Sequence, residues 1–253
     1  MDFNYCSHFM LMKNTLLAAF LLVLLGACAD YNIKIDQDMR AEAQMMPVKG
    51  RQGLRINQKV SFGEFYTSRV RRGWTAKYNV PFMLRFQGAQ EKLSFSQFDA
   101  QGNEAIVSAV GKFRSTELPI LGGYFGIPLK YKNYFAGNIY LPKTEQMFDF
   151  VVYNPEANFR LLPTSGLLKS PGFEVEVVGV TQLDDRKVWN IDNLGFEYKA
   201  EGRSVGAVQI FNNGKVWIRN GLPEEQKLVL AALSTALMIR NNELSRTIGP
   251  SMP

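Results

Sequence analysis

The sequence predicts a mainly β protein, an antiparallel barrel or sandwich with a buried C-terminal helix. Three observations carry that prediction. From about residue 54, short runs of alternating apolar and polar side chains follow one another, separated by Gly, Asn and Asp, with no helical pattern between them. Leu228 to Ile239 is then apolar on nearly every face, whereas a helix merely lying on a sheet would keep one polar side. Finally, 253 residues at 46% hydrophobic and 21% charged suffice for a substantial core. That composition excludes a disordered tail, a collagen-like repeat and a polytopic membrane protein.

Ahead of the domain lies a targeting segment. Leu16 through Leu25 is an uninterrupted apolar run preceded by Lys13 and followed by small residues, the pattern of a secretory signal peptide. Extended to Ala29 it is still shorter than the roughly 20 residues of a spanning helix, so a permanent transmembrane anchor is the weaker reading. The residues Leu25, Gly26, Ala27 and Cys28 resemble the bacterial lipobox. The resemblance implies cleavage after residues 1–27 and a diacylglyceryl group on the Cys28 thiol. Several acyl chains on one residue, at roughly 0.8 kcal/mol per buried methylene, make a stable membrane anchor. An aspartate directly after the cysteine would imply retention at the inner membrane. Ala29 stands there and Asp30 follows, so the resemblance implies the outer membrane of a Gram-negative bacterium. Translation beginning at Met10 or Met12 would open a compact signal with the same cleavage site.

The composition also excludes chemistry. The only histidine is His8, and the only cysteines are Cys6 and Cys28. Cleavage before Cys28 leaves no histidine, and lipid occupies the one remaining thiol. Ser-His-Asp and Cys-His catalysis, His/Cys zinc sites, haem ligation through histidine, thiol redox chemistry and disulfides are thereby excluded from the mature chain. No phosphate-loop or nucleophile-elbow motif occurs. The Gly122-Gly123-Tyr124-Phe125-Gly126 stretch lacks dinucleotide spacing and reads as a loop. No metal or cofactor is expected. Carboxylate enzymes stay open, because a glycosidase needs only two placed acids. The densest acidic pair, Asp184-Asp185, lies between strand-like segments and reads as a solvated turn.

Residues 28–53 are expected to be the lipidated N-terminus and a tether, with weak helical character over Asp36 to Gln44 and breaks at Pro47, Gly50 and Gly53. A single domain is expected over 54–242. It opens on a broken alternation of Val60, Phe62 and Glu64 with Ser61, Gly63 and Phe65. The clearest hairpin joins Leu93–Phe98 to Ala105–Val110 through Asp99-Ala100-Gln101-Gly102-Asn103, where Gly and Asn suit positive φ. Further strands are predicted at Thr75–Phe86, Leu129–Tyr131, Gly137–Leu141, Phe148–Tyr153 and Phe173–Val180. Val188–Ile191, Gly195–Lys199, Ser204–Phe211 and Lys215–Ile218 follow, the last two joined by a tight Asn212-Asn213-Gly214 turn. Trp189 and Trp217 are expected in the core.

The helix is expected over about 223–241, leaving 243–253 as a tail. Pro223 suits its first turn, Glu224 and Glu225 complement the N-terminal dipole, Arg240 stands near the other end, and Asn241 and Asn242 are plausible stops. Its twelve apolar residues are too few to span a bilayer, so they belong inside the protein. Strands ending in a buried helix resemble the tubby-like barrel superfamily, which includes the phospholipid scramblases and LURP-one-related proteins. Phe98 through Val107 and Gly206 through Arg240 carry the resemblance, which is architectural and spans about 54–240. It implies a closed barrel threaded by the helix, and a domain of a kind that often binds membrane lipids or tethers partners. An α+β sandwich with the helix packed on one sheet is the alternative.

Basic residues are unevenly distributed. Lys49, Arg51, Arg55, Lys59, Arg69, Arg71, Arg72 and Lys77 are accompanied by one acid, Glu64. Such a run reads either as a solvated, charge-protected strand edge or as a contact for anionic headgroups through Arg69, Arg71, Arg72 and Lys77. Lys130-Tyr131-Lys132-Asn133-Tyr134-Phe135 mixes cations and aromatics, which suits either a β core or a stacking surface. Three functional classes follow. The first is a non-catalytic envelope lipoprotein, held to the membrane by its lipid, whose β-rich domain binds a lipid, glycan or protein partner. The second is an assembly factor docking on an integral outer-membrane protein, and the third a carboxylate-based hydrolase. Nucleic acid is not an expected partner for an exported chain.

Overall fold

Alternation of inward and outward side chains builds one antiparallel sheet that curls around the C-terminal helix. The structure, a computed structural model, describes residues 31–51, 57–73, 91–111, 134–153, 165–184 and 193–240. The chain divides into Met1–Asn32 and the compact unit Ile33–Pro253, which holds every element among the described residues. In order these are α1 (Gln37–Glu42), β1 (Ala43–Pro47), β2 (Ser61–Phe62), β3 (Phe65–Thr67), β4 (Arg71–Arg72), β5 (Glu91–Phe98) and β6 (Glu104–Gly111). Then come β7 (Tyr134–Leu141), β8 (Gln146–Tyr153), β9 (Ser165–Ser170), β10 (Phe173–Val180), β11 (Gly195–Ala200), β12 (Arg203–Gln209), β13 (Lys215–Arg219) and α2 (Glu224–Ile239).

The 13-stranded sheet runs β1-β13-β12-β11-β10-β9-β8-β7-β6-β5-β3-β2, with β4 also paired to β5. Its two ends meet just past β1. Lys49 N donates to Ser61 O at 2.8 Å and Ser61 N donates to Lys49 O at 3.0 Å. Gly50 makes this approach feasible: its φ is +77°, and a Cβ there would lie 2.0 Å from the Lys59 carbonyl oxygen. The sheet is therefore a nearly closed barrel, and of the two expected architectures the sandwich is excluded.

An up-and-down path gives the barrel two unlike ends. The tight turns β5–β6, β7–β8, β9–β10 and β11–β12 all fall at one end, where α2 also begins. At the other end, called here the rim, β1 and β12 finish, β13 starts and α2 terminates.

The lumen is occupied by α2. Every residue from Leu228 to Ile239 is buried, with β12 and β13 on one side and β5, β6 and β7 on the other. Phe95, Phe135, Phe150, Leu168, Phe196 and Tyr198 belong to the same core. A helix apolar on all sides gains equally from burial at many rotations, so the hydrophobic effect alone does not set its register. Two adjacent hydroxyls do. Tyr198 Oη and Ser234 Oγ are 2.9 Å apart, and Ser234 Oγ donates to Leu230 O at 2.7 Å. On another face, Thr235 Oγ1 donates to Gln97 Oε1 at 2.7 Å. Burial raises the Tyr198 pKa well above its ordinary value, keeping the phenol protonated. Room for its ring comes from Gly206, where a Cβ would stand 2.9 Å from Tyr198 Cδ2.

Outside the barrel, α1 crosses β12, β13 and β1. Asp36 caps it by accepting from Asp38 N at 2.9 Å, and Met39 is its buried residue. Glu197 Oε1 accepts from Asp36 N at 3.0 Å and from Ser204 Oγ at 2.8 Å. Arg219 and Arg203 both pair with Glu42, and Arg40 pairs with Asp184. Residues 33–51, expected in the tether, thus form part of the folded unit.

Most predicted strands are present. The hairpin is β5–β6, with Asp99 Oδ1 accepting from Gln101 N at 3.0 Å and Asn103 N at 2.8 Å. Gly137–Leu141, Phe148–Tyr153, Phe173–Val180, Gly195–Lys199, Ser204–Phe211 and Lys215–Ile218 correspond to β7, β8, β10, β11, β12 and β13. The 60–65 segment is not one strand but a β2–β3 hairpin, because Gly63 turns at φ +53°. The helix starts after Pro223 and stops at Ile239, where Arg240 leaves helical geometry. Trp217 is buried, yet it faces outward, since its neighbours Val216 and Ile218 belong to the lumen core and it does not. Thr75–Phe86, Leu129–Tyr131, Val188–Ile191 and Trp189 lie outside the described residues. β1 and β9 were not predicted. Ala-Gln-Met-Met-Pro and Ser-Gly-Leu-Leu-Lys-Ser contain no β-branched or aromatic residue, so only pairing with β13, and with β8 and β10, makes them strands.

Thr235→Val leaves Gln97 Oε1 buried without its donor and is expected to cost about 1–3 kcal/mol of stability. Gln97→Leu combined with Thr235→Val removes both partners and should recover part of that loss. Guanidinium denaturation of the two single variants and the double measures this coupling.

Candidate functional site

The rim concentrates cations because a buried helix ends there. The last carbonyls of an α-helix lack intrahelical donors and carry the negative end of its dipole, and α2 has no basic residue in its last turn. Arg240 N, at the C-cap, donates to Ala236 O at 3.0 Å. Other segments supply the remaining donors. Arg51 Nε donates to Met238 O at 3.1 Å, and its other donors reach Ile210 O at 2.7 Å and Asn212 O at 3.2 Å. Arg72 donates from its terminal nitrogen to Ile239 O at 2.7 Å. Burial lowers the Arg51 pKa from its ordinary value. The Arg240 guanidinium lies 5.4 Å from the centroid of Phe135.

The seam of the barrel assembles the rest of the site. Lys49 is paired with Ser61, Gly50 abuts Lys59, and Val70 N donates to Gln58 O at 3.0 Å. Segments 49–51, 58–60 and 69–72, dispersed in the sequence, therefore form one strip toward the rim. Along it Lys49, Lys59, Arg69 and Arg71 are exposed. Among the described residues, their side chains have no hydrogen-bond or ion-pair partner. The carboxylate nearest in sequence to Lys59, Arg69 and Arg71, Glu64, is in the β2–β3 turn. Nearer the opposite end Arg203 pairs with Glu42 at 3.6 Å, Lys169 with Glu174 at 2.8 Å and Lys227 with Glu224 at 2.7 Å, while Lys143 donates to Asn103 Oδ1 at 3.2 Å.

The structure thus separates the arginines that sequence grouped together. Arg71 pairs with Ser94 and faces outward with Arg69, whereas Arg72 pairs with Leu93 and turns to the lumen to cap α2. Lys77 and Arg55 lie outside the described residues, as do the lipobox Leu25, Gly26, Ala27 and Cys28. Of the Lys130–Phe135 stretch only Tyr134 and Phe135 are described, and Phe135 is a core residue packed 5.6 Å from the Phe150 ring centroid. Asp184 is exposed and paired with Arg40, as a turn residue would be. Sequence reasoning missed the capping role of Arg51 and Arg72. The one available signal was the lack of cations in the last turn of a helix destined for burial.

The two most buried carboxylates among the described residues do structural work. Asp99 holds its own turn, and Glu197 holds the backbone entering α1. Among these residues no group of His, Cys, Asp and Glu could hold a metal ion, and no helix is long and apolar enough to cross a membrane.

Arg51→Met and Arg72→Met each deprive buried α2 carbonyls of a donor and should lower stability by about 1–3 kcal/mol. Arg69→Gln and Arg71→Gln should stay within about 0.5 kcal/mol of the parent. Chemical denaturation of the four variants makes the comparison.

Comparison with protein-family models, with curated proteins and with solved structures yields no match to this chain.

Proposed function

We propose that this protein is a non-catalytic lipoprotein of the cell envelope, anchored through acylated Cys28 and probing its surroundings with the outer surface of a filled β-barrel. The observation that carries this reading is the occupancy of the lumen. With α2 inside, the barrel is not a cup for a small ligand, so recognition falls to its exterior and rim. The unpaired cations there support a lipid, glycan or protein partner bearing negative charge. The helix along the barrel axis also supports the likeness to tubby-like barrels, a group whose members often bind membrane lipids.

The absence of histidine from the mature chain supports a non-enzymatic role, as does the structural use of Asp99 and Glu197. The large exposed hydrophobics among the described residues, Met45, Tyr66 and Met147, lie on β1, β3 and β8. Such separated residues are ordinary on a surface and do not favour docking on an integral membrane protein.

Expression in a lipoprotein-competent bacterium tests the anchor. Wild type should fractionate with membranes and have an intact mass beginning at diacylglyceryl Cys28, while Cys28→Ala should remain uncleaved or mislocalised. An unacylated wild-type product, or one retaining residues 1–27, would overturn the reading.

A further inference from the structure

The described chain enters the barrel at the rim. Ile33 N donates to Gln209 Oε1 at 3.2 Å, Ile33 bridges Leu183, and Lys34 N donates to Gln182 O at 2.9 Å. Gln209 is the last residue of β12, next to Ile210, whose carbonyl accepts from Arg51. The point of entry therefore lies at the same end of the barrel as the C-terminus of α2 and the cationic strip.

Geometry and charge then act in the same direction. Cys28 precedes Ile33 by five positions, and five residues reach at most about 18 Å. An eight-residue strand such as β5 spans about 26 Å, or about 20 Å along the axis at the usual barrel tilt. A lipid on Cys28 would therefore hold the entry point at Ile33 within about 18 Å of its bilayer, less than the length of a strand. Toward that rim Lys49, Lys59, Arg69 and Arg71 are exposed and make no ion pair among the described residues. At the tight-turn end charges of both signs are exposed: Glu145, Glu201 and Glu225 stand with Lys143 and Arg203, and Glu224 is paired with Lys227. Close to an anionic surface the unpaired cations draw the rim inward, whereas the mixed charges of the other end largely cancel, with a range set by the Debye length.

We infer that the barrel docks end-on, rim and seam toward the bilayer that holds its anchor, with Lys49, Lys59, Arg69 and Arg71 on anionic phospholipid headgroups. This rests on the lipoprotein reading above and adds the orientation and the lipid class. The tight-turn end then faces away from the membrane.

The test supplies the anchor chemically, so it does not depend on acylation in the cell. The chain from Cys28 onward, whose only thiol is Cys28, is coupled to a maleimide phospholipid in vesicles of phosphatidylcholine, with or without phosphatidylglycerol. Amine-reactive footprinting read by mass spectrometry then compares Lys49 and Lys59 with Lys143, which is exposed in the β7–β8 turn. On anionic vesicles Lys49 and Lys59 should lose reactivity several-fold while Lys143 does not, and high salt should restore them. Arg69→Gln with Arg71→Gln, both on exposed side chains, should weaken the protection without altering the thermal transition. Equal reactivity of the three lysines on anionic vesicles, or protection of Lys143 instead, would overturn the inference. A coupled protein that docks as described, alongside an unacylated product in cells, would sink the lipoprotein reading alone.

Discussion

Everything in this fold depends on enclosing one helix that has no polar side. Left in water, the run from Leu228 to Ile239 would expose apolar surface in every direction, and one sheet could cover only part of it. A sheet closed around it covers all of it and at the same time removes most of its own free edge. Closure is therefore a consequence of the helix as much as of the strands. It needs a glycine at position 50, where the ends of the sheet approach too closely for any side chain.

Full enclosure creates two secondary problems, and particular residues answer each. Uniform apolarity leaves the rotation of α2 underdetermined, and the Tyr198–Ser234 and Gln97–Thr235 hydrogen bonds select one setting. Burial also strips water from the final carbonyls of α2, and Arg51 and Arg72 take its place. The rim is basic partly for this internal reason. Cations recruited to finish a helix stand beside others that finish nothing, and the latter are free to meet a partner.

The N-terminal segment shows how context overrides local preference. Over 28–53 the sequence is polar, poor in β-branched residues and punctuated by Pro and Gly, which reads as a tether. In the folded unit its 33–51 portion contributes Ile33, Met39, Met46 and Val48 to buried surface and a strand to the sheet. Glu197, Arg219 and Glu42 fasten it across the outer face of β11 to β13, and no spacing within the segment itself signals those partners.

Sequence by itself determined the fold class, the β5–β6 hairpin, most strand positions and the buried helix, because alternation, turn residues and all-round apolarity are local properties. It also determined which side chains a mature chain beginning at Cys28 lacks. Tertiary structure alone decided between barrel and sandwich, since closure depends on contacts such as Lys49 with Ser61 between opposite ends of a long sheet path. It alone separated Arg72 from Arg71, because strand pairing sends neighbouring side chains to opposite faces. The common location of the chain's entry point and the unpaired cations was equally invisible in sequence, because it follows from strand direction around the whole barrel, which no local pattern records.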